Sequence, residues 1–251
     1  MTLSLQQWHR RYQQQARWTH ELRKYIYQRI MIQSASKVLE VGCGTGVIME
    51  ELPQITRGEA FGVDIAREPL FISHQLLPVS QFTQGDALYL PFDSGVFTIS
   101  LCHFLLLWVK DPLQAINEMK RVTTEDGFVL ALAEPDYGGR IDYPRELSSI
   151  GAWQTQALAR QGANPYMGRE LRSIFSQTEL RNIEVGVLGG QWVNEMQAED
   201  FDLEWEVVNS DLHFMPEFVT AAETYKQLEL SSRKAQQRIL YVPTFYAIGQ
   251  V

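Results

Sequence analysis

The stretch Val38-Leu39-Glu40-Val41-Gly42-Cys43-Gly44-Thr45-Gly46 decides the fold. The run from Lys37 to Val41 has the β-branched and aliphatic character of a buried strand, and a glycine cluster ends it. Three glycines at alternating positions let the chain turn sharply and let a ligand approach the backbone where any Cβ would collide. Val47 to Leu52 then returns to helical character. The expected unit is strand, tight turn, helix, with a nucleotide-like ligand at the turn. A dinucleotide fingerprint would put its last glycine where Val47 stands, and no Gly-Lys-Ser/Thr follows as a phosphate loop requires. What remains is acid-x-Gly-x-Gly-x-Gly, which suits a ligand without phosphates.

Outward from this turn the same alternation repeats. Strands are expected at Ala60–Val63, Gln81–Thr83, Phe97–Cys102 and Phe128–Ala133, with helices near Pro69–Leu77 and at Pro112–Val122 between them. Strands separated by helices imply an α/β fold: a Rossmann-like, mostly parallel sheet with helices on both faces. Leu5 to Ile32 reads as two consecutive helices, and Asp136 to Pro144 as a loop. Helices follow near Glu146–Arg160 and Arg169–Ser176, then a strand near Ile183–Leu188 and a largely helical Ala198–Ser232 broken at Pro216. The last run, Ile239 to Ile248, reads as an antiparallel edge strand because Pro243 interrupts it. The whole is expected to be one domain over residues 1–251, with N-terminal helices in 1–35, a ligand-binding core in 36–135, and the remaining sheet with helical insertions in 136–251.

From Glu40 to Gly46 the sequence resembles the class I S-adenosylmethionine-dependent methyltransferases. The likeness continues through Gly62-Val63-Asp64-Ile65, Gly85-Asp86-Ala87, Leu90-Pro91-Phe92, Asp111-Pro112, the helix from Glu118 to Val122, and Gly127. It spans residues 36 to 135 and is closest to the branch that includes quinone-biosynthesis C-methyltransferases. This resemblance implies S-adenosylmethionine as cofactor, S-adenosylhomocysteine as product and a small-molecule methyl acceptor. It implies cofactor contacts from Glu40, Gly42, Gly44, Gly46, Asp64, Ile65, Asp86, Ala87 and Cys102. Asp64, at a strand's C-terminal end, suits hydrogen bonds from both ribose hydroxyls. Asp86 suits the adenine amino group, with the Ala87 amide donating to a ring nitrogen; a lone loop aspartate is equally a turn former.

Ligands of open α/β sheets bind beyond the carboxyl ends of the strands, which points to Cys102, His103 and Phe104 and to Glu134 through Tyr137 as the ring around the methyl group. His103 is the one catalytic candidate, as a base or as a packing residue. The aromatic segments before Ser34 and after Asp136, with Tyr12, Trp18 and Tyr137, are expected either to fold over this edge as helical lids or to cover a sheet face.

Thirty acidic against 22 basic residues give a net charge of −8, which argues against a nucleic-acid partner. The two cysteines, Cys43 and Cys102, form neither a disulfide framework nor a zinc pattern, so no metal is expected. The N-terminus lacks an apolar signal core, and the most apolar window, Leu101–Val109, is half a membrane span. A cytoplasmic location is expected. Two other functions compete: a catalytically silent S-adenosylmethionine-binding regulatory protein, and a nicotinamide oxidoreductase, against which Val47 speaks. Acceptor identity, oligomeric state and the use of a base stay open at this level.

Overall fold

The computed structural model describes residues 3–189 and 198–251. Among them a seven-stranded sheet has the order β3-β2-β1-β4-β5-β9-β7. Its strands are β1 (Lys37–Val41), β2 (Glu59–Asp64), β3 (Gln81–Gln84), β4 (Phe97–Cys102), β5 (Thr123–Pro135), β7 (Arg181–Leu188) and β9 (Thr244–Gln250). The first five run parallel, and β9 lies antiparallel to both β5 and β7. Strand β1 is flanked by β2 on one side and β4 on the other, so the chain's winding reverses there. That reversal opens a crevice at the carboxyl ends of the strands.

The helices are α1 (Leu5–Trp18), α2 (His20–Arg29), α3 (Leu52–Ile55), α4 (Arg67–Leu76), α5 (Pro112–Val122), α6 (Ser148–Arg160), α7 (Met167–Ser176), α8 (Ala198–Leu212) and α9 (Val219–Lys234). Helix α1 begins at a reciprocal cap: the Ser4 hydroxyl accepts from the Gln7 amide while the Gln7 side chain accepts from the Ser4 amide. In α5 the Asp111 carboxylate accepts from Gln114, Pro112 takes the first turn, and Lys120 and Arg121 close the last. Successive strand residues point to opposite faces, and this divides the apolar core in two. Leu39, Val41, Val129 and Ala131 pack against α5 and α7 residues such as Ile116, Met119, Leu171 and Phe175. Val38, Ile99, Leu101 and Leu130 pack against Ile26, Met49, Leu52 and Leu70 on the other face. A third cluster, with Ile150, Phe201, Trp205 and Leu212, joins α6, α8 and α9 apart from the sheet.

Three expectations need correction. Val47 to Leu52 forms turns and not a helix; regular α-structure is confined to Leu52–Ile55. Pro53 has no N–H for the Met49 carbonyl, which accepts instead from Leu52 at 3.3 Å in a tighter turn. Asp136 to Pro144 is more than a loop, because it holds strand β6 (Ile141–Tyr143), paired antiparallel with β8 (Ile239–Tyr241). Finally, the antiparallel strand near the C-terminus lies one place in from the edge. Pro243 falls between β8 and β9, so Thr244–Gln250 keeps its amides and pairs on both sides.

Candidate functional site

The glycine turn is fastened to the end of β2. Gly42 and Cys43 both donate to the Val63 carbonyl, at 2.7 and 3.1 Å. Gly42, Gly44 and Gly46 have φ of 74°, 50° and 80°, in the left-handed region that side-chain-bearing residues avoid. Close approach adds to the requirement: a Cβ on Gly42 would lie 2.6 Å from Leu105 Cδ1, and one on Gly44 would lie 3.3 Å from the Tyr12 ring. Asp64 closes the turn from the next strand, its Oδ2 accepting from Gly44 at 2.7 Å and its Oδ1 from Ala66 at 2.9 Å. One lone pair on each oxygen is thus spent on ordering the backbone. The following Ile65 is exposed, and its carbonyl accepts from Gln84. Asp86 accepts from Leu88 through Oδ1 at 2.9 Å, the turn-forming geometry, with Ala87 half-buried beside it.

Glu40 lies under the turn, 2 % exposed, and its Oε2 has no hydrogen-bond partner. Burial, with Glu51 and Asp64 nearby, pushes its carboxyl well above the usual range. An enclosed carboxylate oxygen without a donor is costly unless a ligand supplies one. Helix α1 covers the turn: His9 Nδ1 lies 2.8 Å from Thr45 Oγ1, and Tyr12 stacks on Trp8 over Gly44. A cleft of about 140 Å³ opens beside this contact between His9, Thr45, Gly46, Glu50 and Leu77. A larger groove, lined by Ser36, Lys37 and Gly58, is at the amino ends of β1 and β2, the wrong end of the sheet for this ligand edge.

At the end of β4, Cys102 is packed in the apolar core, and burial pushes its thiol well up. Its partner in the sheet register is Val41, the residue that leads into the glycine turn. His103 is half-buried, edge-to-face with Phe104 at 4.8 Å, and its Nε2 lies 2.9 Å from the Thr19 hydroxyl. Burial and then the Arg23 charge hold its imidazole well below the usual value, so it is neutral at physiological pH. Thr19 also accepts from Arg23, whose guanidinium meets Glu51 through bonds of 2.7 and 2.9 Å. Local reading of the sequence missed this network, because its members come from α2, the glycine turn and β4.

Glu134 lies near the carboxyl end of β5. Its carboxylate turns back and accepts from the Leu105 and Leu106 amides at 2.9 Å and from Leu107 at 3.2 Å. It thereby holds the loop after β4, where Phe104 adopts a φ of 53° that a non-glycine residue takes only under constraint. Burial raises the Glu134 carboxyl to about 7, against the opposing pull of those three amides. Tyr137 follows β5 and packs, half-buried, against the core beside α5 and α7, whereas Trp18 is exposed, with Arg11 over its ring.

A family profile described as a methyltransferase domain matches residues 39–131. Residues 39–131 thus carry the pattern of a methyltransferase domain. An uncharacterized methyltransferase of Schizosaccharomyces pombe is 32% identical over 154 residues, 56% of this chain and 55% of that protein. The demethylmenaquinone methyltransferase of Bacillus subtilis is 27% identical over 194 residues, 69% of this chain and 81% of that enzyme. The chain spans about half the length of the first curated relatives it matches, 55% and 48%. Among solved structures, the YcgJ protein from Bacillus subtilis superposes with a TM-score of 0.57 at 19% identity, covering 92% of this chain and 98% of that one. Phosphoethanolamine N-methyltransferase 2 of Haemonchus contortus, solved with S-adenosyl-L-methionine, gives 0.56 at 13% identity, covering 87% and 49%. At these identities the solved structures establish the methyltransferase domain's fold.

Proposed function

We propose that this chain transfers a methyl group from S-adenosylmethionine to a small-molecule acceptor, as a single cytoplasmic domain. The observation that carries this reading is the pairing of a left-handed glycine turn with two acids. Asp64 organises the turn from the neighbouring strand, and the buried Oε2 of Glu40 lacks a donor. The residues fit the cofactor. The Asp64 oxygens each retain a lone pair that would accept from a ribose hydroxyl, and Asp86, Ala87 and Ile65 would hold the adenine. Glu40 Oε2, reached through the turn of Gly42, Gly44 and Gly46, suits the ammonium group of the methionine part. Cys102 supports the floor through packing alone.

When bound, the cofactor supplies a sulfonium methyl that is already activated. The protein's task is then alignment and exclusion of water. Tyr12 and the rest of α1 cover the turn, and Glu134 fixes the loop that carries Phe104 and Leu105. His103, held by Thr19 and kept neutral, packs and positions in this reading, without taking a proton. Calorimetry tests the assignment: S-adenosylmethionine and S-adenosylhomocysteine bind and NAD does not, since Val47 replaces the helix-facing glycine of the dinucleotide fingerprint. Micromolar NAD binding with no response to either adenosyl compound overturns it.

A further inference from the structure

The two N-terminal helices are held in different ways. Helix α2 sinks Leu22, Ile26 and Tyr27 into the core on one face of the sheet, whereas the enclosed residues of α1 are Arg11, Gln14 and Ala16. Apolar burial therefore fixes α2 and leaves the seat of α1 largely to polar contacts. Those contacts fall on one stripe. Gln7, Arg10, Gln14 and Arg17 recur at the three- and four-residue spacing of a single helix face, and all four meet α8. Gln7 Nε2 donates to Glu206 Oε2 at 3.0 Å, and Arg10 lies 3.8 Å from the same oxygen. Gln14 Nε2 donates to the Asp200 carbonyl at 3.2 Å, and Arg17 pairs with the Asp200 carboxylate at 2.5 Å. Asp200 and Glu206 thus each take two donors from α1, with the two helices running in opposite senses.

The neighbouring stripe of α1 works on the glycine turn. His9 Nδ1 lies 2.8 Å from Thr45 Oγ1, and the Tyr12 ring comes so close to Gly44 that a Cβ there would lie 3.3 Å from it. The Gly44 amide in turn donates to Asp64 Oδ2 at 2.7 Å. An unbroken line of contacts therefore runs from the acids of α8 through α1 to the turn and on to Asp64. Beside His9 the helix stands off the turn, leaving the cleft of about 140 Å³ bordered by Gln13, Glu50 and Leu77. Helix α8 has its own anchorage: Phe201, Trp205 and Leu212 pack with α6 and α9 in the cluster apart from the sheet. Asp202, between the two acids in sequence, serves that anchorage and pairs with Lys226 of α9 at 3.1 Å. A helix with little apolar burial that touches the turn on one side leaves it readily once its other side lets go.

We propose that Asp200 and Glu206 are positioning residues of the cofactor site: they hold α1 so that His9 and Tyr12 close the glycine turn over bound cofactor, and the cofactor leaves when the seam between α1 and α8 parts. This rests on the methyltransferase reading above. The Arg10 and Arg17 side chains are each 59% exposed, so either ion pair alone is weak and screened by salt. Weak pairs acting together suit a closure that has to open once in every turnover.

The test uses the full chain, with S-adenosylhomocysteine as the probe and calorimetry well below the melting transition, where a loss of stability alone does not change affinity. Asp200→Asn combined with Glu206→Gln is expected to weaken binding by about three- to tenfold, the scale of two exposed ion pairs lost together. Asp202→Asn, which removes the acid that faces α9, is expected to leave the affinity within about twofold of the parent. Exchange of charge supplies the readout that a merely structural role would not move. Arg17→Asp alone is expected to weaken binding, and adding Asp200→Arg to restore it to within about twofold of the parent. Unchanged affinity in the first double variant, an equal loss in Asp202→Asn, or an exchange that restores nothing overturns the proposal. So does a first double variant that no longer melts cooperatively, because the acids would then be needed for folding. Failure of the parent to bind S-adenosylhomocysteine strikes the methyltransferase reading itself, before any variant is compared.

Discussion

Asp64 does two things with one carboxylate, since it orders Gly44 and Ala66 and presents its remaining lone pairs at the end of β2. Asp64→Ala is therefore expected to weaken S-adenosylhomocysteine binding by roughly 2–3 kcal/mol, the scale of charge-assisted hydrogen bonds to two hydroxyls, in a protein that still folds. Calorimetry on the folded variant measures it, and an unchanged dissociation constant removes Asp64 from the site. His103 poses a different question, because its neutral imidazole is already engaged by Thr19. With a packing role, His103→Ala lowers turnover less than about tenfold, well short of the roughly 10²–10⁴-fold loss expected for a base. Rate against pH, measured once an acceptor is in hand, decides: loss of an ionisation near neutral pH with a large rate drop would establish the base.

At the scale of elements, the segments that matter are the ones that break regular structure. The turn after β1 stays irregular up to Leu52, and the loop after β4 is held by a carboxylate from the far end of β5. The Glu134 clamp has a pH signature. Its carboxyl is raised from 4.5 to about 7 in the folded chain, so between these values the folded state binds a proton that the unfolded state has released. This group's contribution to stability is full below pH 4.5 and is lost as pH rises through 7, a change of roughly 3 kcal/mol. Glu134→Gln abolishes that dependence. Chemical denaturation at pH 5 and pH 8 should show the parent losing more stability than the variant over this interval, and equal losses would mean that Glu134 is ionised throughout. The sequence puts Glu134 just after a strand, but its clamp spans 29 residues of chain, a partnership that no local pattern reveals.

For the whole molecule, a net charge of −8 spreads negative potential over the surface and leaves little counterion release for a nucleic-acid partner. Filter binding with duplex DNA and with RNA at about 150 mM salt should show no retention at micromolar protein. Tight, strongly salt-dependent retention would reveal a local basic patch that outweighs the total. Among the described residues no helix is long and apolar enough to cross a membrane. The placement of β9 between β5 and β7 is also a property of the whole, because it requires the C-terminal strand to return to the sheet after the α8 and α9 helices.

The sequence by itself determined the alternation of strands and helices, the glycine turn with Asp64 after it, and the family likeness, because each is written in contiguous residues whose period or spacing acts locally. The paired helices α1 and α2 and the break at Pro216 were legible for the same reason. Only the tertiary structure decided which strand lies at the sheet's edge, that β6 pairs with β8, that Glu134 faces a loop, and that the acids meeting α1 come from α8. Pairing of strands and neutralisation of buried charges depend on groups brought together from distant parts of the chain, and packing selects those partners after local structure has formed.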